Sequence, residues 1–334
     1  MKKTLITFMF TFLCCVFLFL LLFNSKECIA LASNGLLIWY RNMIPSLFPF
    51  MVLSGFIIRS GLSLKIGRWL QPILGFFFPL PSQMLYAIFM GFLCGFPMGA
   101  KMVADMLEKK QITEKEGEYL LAFCNNIGPL YMLGYVIPLF HYKIVWHILG
   151  LMYLIPLVYG FILYYAFSLK PTACTCYKEK TISSNYLISF QQSLSSAIEQ
   201  ITMLGGCMVF FNCLLIFPKI AEHFLSHTLN FTNTPFLTGI LSCLIEIGGG
   251  LQRIALLFNS PITYDKNTPL ISLYSLADSN SIHIYLPLAL LTFGGLSCIT
   301  QTCFILKNTG LKISTYIKHK FIQTCIFLIL LFIF

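Results

Sequence analysis

Nine apolar runs separated by short polar connections make up most of this 334-residue sequence, more than one water-soluble core can cover. They span residues 4–23, 36–58, 83–100, 119–139, 145–168, 200–217, 236–258, 284–306 and 321–334. Most are about 20 residues long, the length a helix needs to cross a hydrocarbon core of roughly 30 Å. Charged residues are only 10% of the chain, against about a quarter in soluble domains. The chain therefore reads as an integral, multi-pass membrane protein, which excludes soluble enzymes, nucleic-acid readers and disordered scaffolds. The net charge of +10 is dispersed between the apolar runs, with no basic stripe and no nucleic-acid module. Most of the 13 cysteines lie inside apolar runs, where a thiol acts as a small hydrophobe. The one tight polar pair, Cys174 and Cys176, has no second Cys or His cluster at zinc spacing, so neither a metal nor a cofactor is expected.

The first run follows Lys2 and Lys3 and is longer than the 7 to 15 residues of a signal-peptide core, despite Ala30-Leu31-Ala32 imitating a cleavage site. It is expected to be an uncleaved anchor. If all nine runs crossed, the basic loops 59–68 and 101–115 would fall on opposite sides of a single segment, against the positive-inside rule. The conflict is removed if residues 83–109 form a re-entrant hairpin with its tip at Gly95-Phe96-Pro97-Met98-Gly99. Each leg of about 12 residues reaches roughly 18 Å, the bilayer midplane. Pro97 removes a helical donor and the glycines permit the turn. Residues 236–258 fit a second hairpin, broken at Gly248-Gly249-Gly250.

With both hairpins re-entrant, sixteen basic residues are cytoplasmic: Lys2, Lys3, Arg59, Lys65, Arg68, Lys101, Lys109, Lys110, Lys115, Lys170, Lys178, Lys180, Lys307, Lys312, Lys318 and Lys320. Four, Lys26, Lys143, Lys219 and Lys266, face the other side, and Arg41 and Arg253 stay inside segments. The expected fold is all-α and polytopic, with two inverted-topology repeats, each span–hairpin–span, as in many secondary transporters.

The stretch from Gly91 to Pro129 carries the most chemistry. A helix restarting after Pro97 presents free N–H groups and its positive dipole end to the protein centre, a setting that favours an anion. Lys101 stands one turn on and either serves that site or pairs with Asp105 at i,i+4. Thr113 and Glu116 form a capping box for the next helix. That helix runs into Asn125-Asn126-Ile127-Gly128-Pro129, where the amides either line a substrate path or bond carbonyls freed by the break. In the second repeat, Glu246 is an acid in the middle of an apolar segment, with Arg253 two turns on as its structural partner. Ser297 and Gln301 face one way at i,i+4, beside Gly294 and Gly295.

The spacing of Pro45-Ser46-Leu47-Phe48-Pro49-Phe50, Gly95-Phe96-Pro97-Met98-Gly99-Ala100-Lys101, Leu121-Ala122-Phe123-Cys124-Asn125-Asn126 and Gly294-Gly295-Leu296-Ser297 with Gln301 resembles the sporulation integral membrane proteins of the YlbJ type. Those proteins carry nucleoside-recognition (Gate) domains of the kind found in concentrative nucleoside transporters. The resemblance covers roughly residues 36–323, with departures at Cys94, Phe96 and Cys298-Ile299-Thr300. It implies a sporulation-associated transporter carrying dipicolinate, in the cell membrane or the outer forespore membrane.

The expected organisation is an anchor and loop over 1–35, a first Gate-like repeat over 36–140, a connecting span and polar linker over 141–199, a second repeat over 200–320 and a C-terminal apolar segment over 321–334. Expected substrate-binding residues are Gly95, Pro97, Gly99, Lys101, Asn125, Asn126, Ser297 and Gln301, with Glu246 coupling or balancing charge and Phe96 or Phe123 packing on a ring. The expected partners are a small anionic substrate and the lipid bilayer, without nucleic acid, and the chain is open to homo-oligomer formation. A nucleoside or nucleobase carrier and a non-transporting scaffold for spore-envelope assembly are the alternatives. An enzyme is not expected, since no HExxH, GxSxG or Walker motif occurs.

Overall fold

The computed structural model describes residues 2–140, 146–166, 185–228, 234–259 and 282–333. Cys174, Cys176, most of the polar linker, Lys143, Lys170, Lys178, Lys180 and Lys266 lie outside these residues. All regular structure among the described residues is helical.

Helix α1 (Lys2–Phe23) turns at Asn24 into α2 (Ser25–Ile38), which passes through one π turn, Trp39–Met43, into α3 (Ile44–Arg59). A short amphipathic helix, α4 (Ser63–Leu74), precedes the hairpin α5 (Ser82–Cys94) and α6 (Met98–Glu108). Next come α7 (Glu114–Cys124) and α8 (129–139), two halves of one interrupted helix, and the span α9 (Trp146–Ala166). The same order then recurs: a long helix α10 (Tyr186–Leu214), an amphipathic α11 (Ile216–Thr228), a hairpin α12 (Thr234–Ile245) and α13 (Ile247–Asn259), and an interrupted helix α14 (Ile282–Phe293) and α15 (Gly295–Leu306). Helix α16 (Ile313–Ile333) follows. Among the described residues, five helical stretches are long and apolar enough to cross a membrane, so the chain is a polytopic α-helical membrane protein.

Local chemistry explains several boundaries. Both π turns, Trp39–Met43 and Met132–Val136, are followed directly by Ile-Pro. A helical proline lacks its N–H and crowds the carbonyl four residues back, and a wider turn draws the preceding carbonyls away from its ring. Thr113 accepts from the Glu116 amide at 3.3 Å while Glu116 accepts from the Thr113 amide at 2.8 Å, so the expected capping box starts α7. Trp69 and Phe76, 82% and 85% exposed, put aromatic side chains on the outer side of the α4 region, as interfacial helices do.

Several boundaries differ from the sequence reading. The loop expected before residue 36 is instead helix α2, which runs on into α3 as one helical stretch, Ser25–Arg59. The second hairpin breaks at Glu246, ahead of the three glycines, because the Glu246 carboxylate accepts from the Gly248 and Gly249 amides and so caps α13 itself. The second long helix begins at Tyr186 rather than near 200. The C-terminal apolar run is the later part of α16, whose 21 residues reach about 31 Å.

Candidate functional site

Four helix interruptions meet at the centre of the molecule. Gly95, between α5 and α6, has φ +82° and ψ −167°, a region open essentially to glycine alone. A Cβ there would lie 2.1 Å from the Gly128 nitrogen, so the first hairpin tip rests backbone to backbone on the break between α7 and α8. The second half of the chain shows the same arrangement. Gly295, φ +68°, sits where a Cβ would be 2.8 Å from the Cys243 carbonyl, putting the break between α14 and α15 on the end of α12. The two halves touch through Phe96, whose Cζ lies 3.3 Å from where Gly294 would carry a Cβ. Helices α6, α8, α13 and α15 begin at this centre and α5, α7, α12 and α14 end there, so four positive and four negative dipole ends meet.

Between the breaks is a cavity of about 30 Å³, lined among others by Phe96, Tyr131, Glu246, Gly294, Cys298 and Gln301. Two wide vestibules flank it. Along α10, Ser195 to Met203 wall a vestibule of about 760 Å³, Leu204 and Met208 wall the central cavity, and Leu215 just past the helix walls a second vestibule of about 810 Å³. Along α2 and α3 the order is reversed: Lys26 to Asn34 face the second vestibule, Met43 and Leu47 the cavity, and Arg59 the first vestibule. These two long helices therefore run in opposite directions past one line of cavities. The vestibules also sort the charges as the topology reading does, with Arg59, Lys101 and Lys110 in the first and Lys26 and Lys219 in the second.

The structure divides the expected site residues between these places. Gly95 and Pro97 form the first hairpin tip, Gly99 packs where a Cβ would be 2.4 Å from the Cys124 carbonyl, and Glu246 and Gln301 reach the cavity. Gln301 donates to Ser297 Oγ at 3.1 Å, and both are buried. Lys101 pairs with Asp105 and lines the first vestibule instead. Asn125 accepts from the Ala100 amide at 3.3 Å and donates to Thr302 Oγ1 at 3.2 Å and Tyr316 Oη at 3.0 Å, tying α6, α15 and α16 to the break. An Asn125→Ala variant is expected to lose about 2–4 kcal/mol, read as a lower melting midpoint in detergent, because it leaves a buried amide and two hydroxyls short of a partner. Asn126 donates to the Phe123 carbonyl at 2.5 Å and accepts from Lys320 Nζ at 2.6 Å. Phe123 is fully buried and stacks on Phe78 at 5.7 Å, inside an aromatic cluster rather than at the cavity.

Two charge assignments change. Arg253 bonds Glu222, and Glu246 is instead satisfied by Gly248 (3.1 Å), Gly249 (2.5 Å) and Asn212 Nδ2 (3.2 Å), because the acid sits at the break while Arg253 faces the second vestibule. Lys320, counted among cytoplasmic charges, is 1% exposed, because α16 starts at Ile313 and carries it into the protein interior. The polar positions Lys320, Gln323 and Thr324, spaced i, i+3, i+4 at the head of an apolar run, are the sequence signal for this buried stripe.

Residues 40–144, which hold the first hairpin and the whole α7–α8 interruption, match the Gate family, described as nucleoside recognition. Over 105 residues, 31% of this chain, the sequence is 34% identical to the sporulation integral membrane protein YlbJ of Bacillus subtilis (strain 168). The matched stretch spans 26% of that relative's length. No solved structure matches the chain. The first of the two interrupted-helix units is thus similar to the Gate family and to part of a sporulation membrane protein.

Proposed function

We propose that the chain is a sporulation-associated secondary transporter that moves a small anion, dipicolinate foremost, across the outer forespore membrane. The line of vestibule, narrow cavity and vestibule through four converging helix interruptions carries this proposal. Two inverted repeats meeting at such a centre give a fixed midplane site that faces each side in turn. A flat aromatic dianion suits a cavity with Phe96 on its wall. Similarity to YlbJ supports the link to sporulation. At about 30 Å³ the cavity holds roughly one water, so this conformation is closed, and uptake requires the repeats to rock apart.

The Gate match favours a second reading, a nucleoside carrier. Purified chain in vesicles, assayed with labelled dipicolinate and labelled nucleosides, separates the two. Uptake of nucleosides alone, or normal dipicolinate in spores of a deletion strain, overturns the dipicolinate proposal.

Lys101 has a supporting part in this scheme, offsetting Asp105 in a first vestibule whose wall also carries Glu108, Glu114 and Glu199. Lys101→Ala is expected to slow dipicolinate uptake roughly tenfold at low ionic strength, and the deficit shrinks as salt screens the vestibule. A deficit that does not change with salt would remove Lys101 from this role.

A further inference from the structure

We infer that Lys320 is the counter-charge for a carboxylate of the substrate, held behind Phe96 in the closed conformation; this rests on the anion-transport proposal. A lysine at membrane depth is expensive unless it has a function, and Lys320 is buried in the protein interior. Among the described residues no acid pairs with it. Its ammonium donates to Asn126 Oδ1 at 2.6 Å and Gln323 Oε1 at 3.5 Å, and lies 5.0 Å from the centre of the Phe96 ring. All three partners are neutral.

The helix break builds this cradle. Where α7 stops at Cys124, the carbonyls of its last turn lose their helical donors. The Asn126 amide takes the Phe123 carbonyl at 2.5 Å, and the Gln323 amide takes the Ala122 carbonyl at 2.6 Å. Both side chains are thereby turned with their oxygens toward Lys320. Neutral dipoles hold the amine in place and supply no counter-charge.

Phe96 separates that charge from the central cavity: it lines the cavity, and the ammonium is on its ring. On the same cavity, the Tyr131 hydroxyl is buried and makes no hydrogen bond. A flat carboxylate entering from either vestibule displaces Phe96, takes the ammonium as its ion partner and accepts from Tyr131. The ligand class is a small planar carboxylate.

Thermal stabilisation of the purified full chain by pyridine-2,6-dicarboxylate tests this, with uridine as the uncharged comparison. The wild type is expected to be stabilised by the dianion, and Lys320→Gln to bind it roughly 10- to 100-fold more weakly, the loss of one charge-assisted bond in a dry site. Asn126→Asp provides a second variant: its new carboxylate occupies the ammonium at the cost of the amide bond to the Phe123 carbonyl, so the chain is expected to stay folded, with a melting midpoint at or somewhat below that of the wild type, and to lose dianion binding. Dianion binding at wild-type strength in either variant overturns the role of Lys320 and leaves the transport proposal standing. Stabilisation of the wild type by uridine and not by the dianion overturns both.

Discussion

Gly95→Ala is expected to abolish the monodisperse, folded protein. Two effects add at this position. The backbone angles, φ +82° and ψ −167°, exclude a side chain, and a new Cβ would stand 2.1 Å from the Gly128 nitrogen and 2.5 Å from its Cα. Neither neighbour is the flexible end of a side chain, so relief means separating the hairpin tip from the second break. The expected loss is about 5 kcal/mol or more, in the range reserved for strained, tightly packed sites. Two controls divide the effects. Gly61 has φ +78° with nothing within 4 Å, so Gly61→Ala should lose only about 1–2 kcal/mol from the backbone. Gly134 lies in a helical turn with open space, so Gly134→Ala should be neutral or slightly stabilising. Melting midpoints of the three variants in detergent check this order. A Gly95→Ala midpoint within a few degrees of wild type would show that the two breaks are not in tight contact.

The second large effect is expected at Glu246. Its carboxylate satisfies the Gly248 and Gly249 amides and bonds Asn212, all within a buried break. Glu246→Ala leaves two backbone donors with no acceptor where water is scarce, a loss of about 3–6 kcal/mol. Glu246→Gln keeps one acceptor oxygen and turns an amide toward the other donors, so about half of that loss is expected and the protein still folds. The milder variant then tests coupling. If Glu246 carries the proton that accompanies the anion, Glu246→Gln vesicles lose uptake driven by an imposed pH gradient and retain exchange of internal for external substrate. Gradient-driven uptake intact in Glu246→Gln would reduce the acid to a helix cap.

Much of this arrangement is legible in the residues. Gly95 and Pro97 mark the first hairpin tip because no helix continues through them, and Thr113 with Glu116 marks a helix start by local hydrogen bonding alone. The Lys101–Asp105 pair follows from i,i+4 geometry. What the residues do not reveal is partnership at a distance. Glu246 has a basic residue two turns away, yet it bonds its own helix start and an amide from α10. Asn125 and Asn126 are adjacent in sequence and point to different neighbours, one bracing three helices and one holding an ammonium.

By itself the sequence determined that this chain lives in a membrane, and where its first hairpin turns and the α7 helix is interrupted. Apolar length, Gly and Pro content and basic-loop bias act locally, so they can be read along the chain. Only the tertiary structure decided that the four interruptions share one centre, that Arg253 belongs to Glu222, and that Lys320 is an interior charge rather than a surface anchor. Those outcomes depend on which carbonyls and amides a break leaves unpaired and which distant side chain reaches them, and that is set by packing between helices far apart in the sequence.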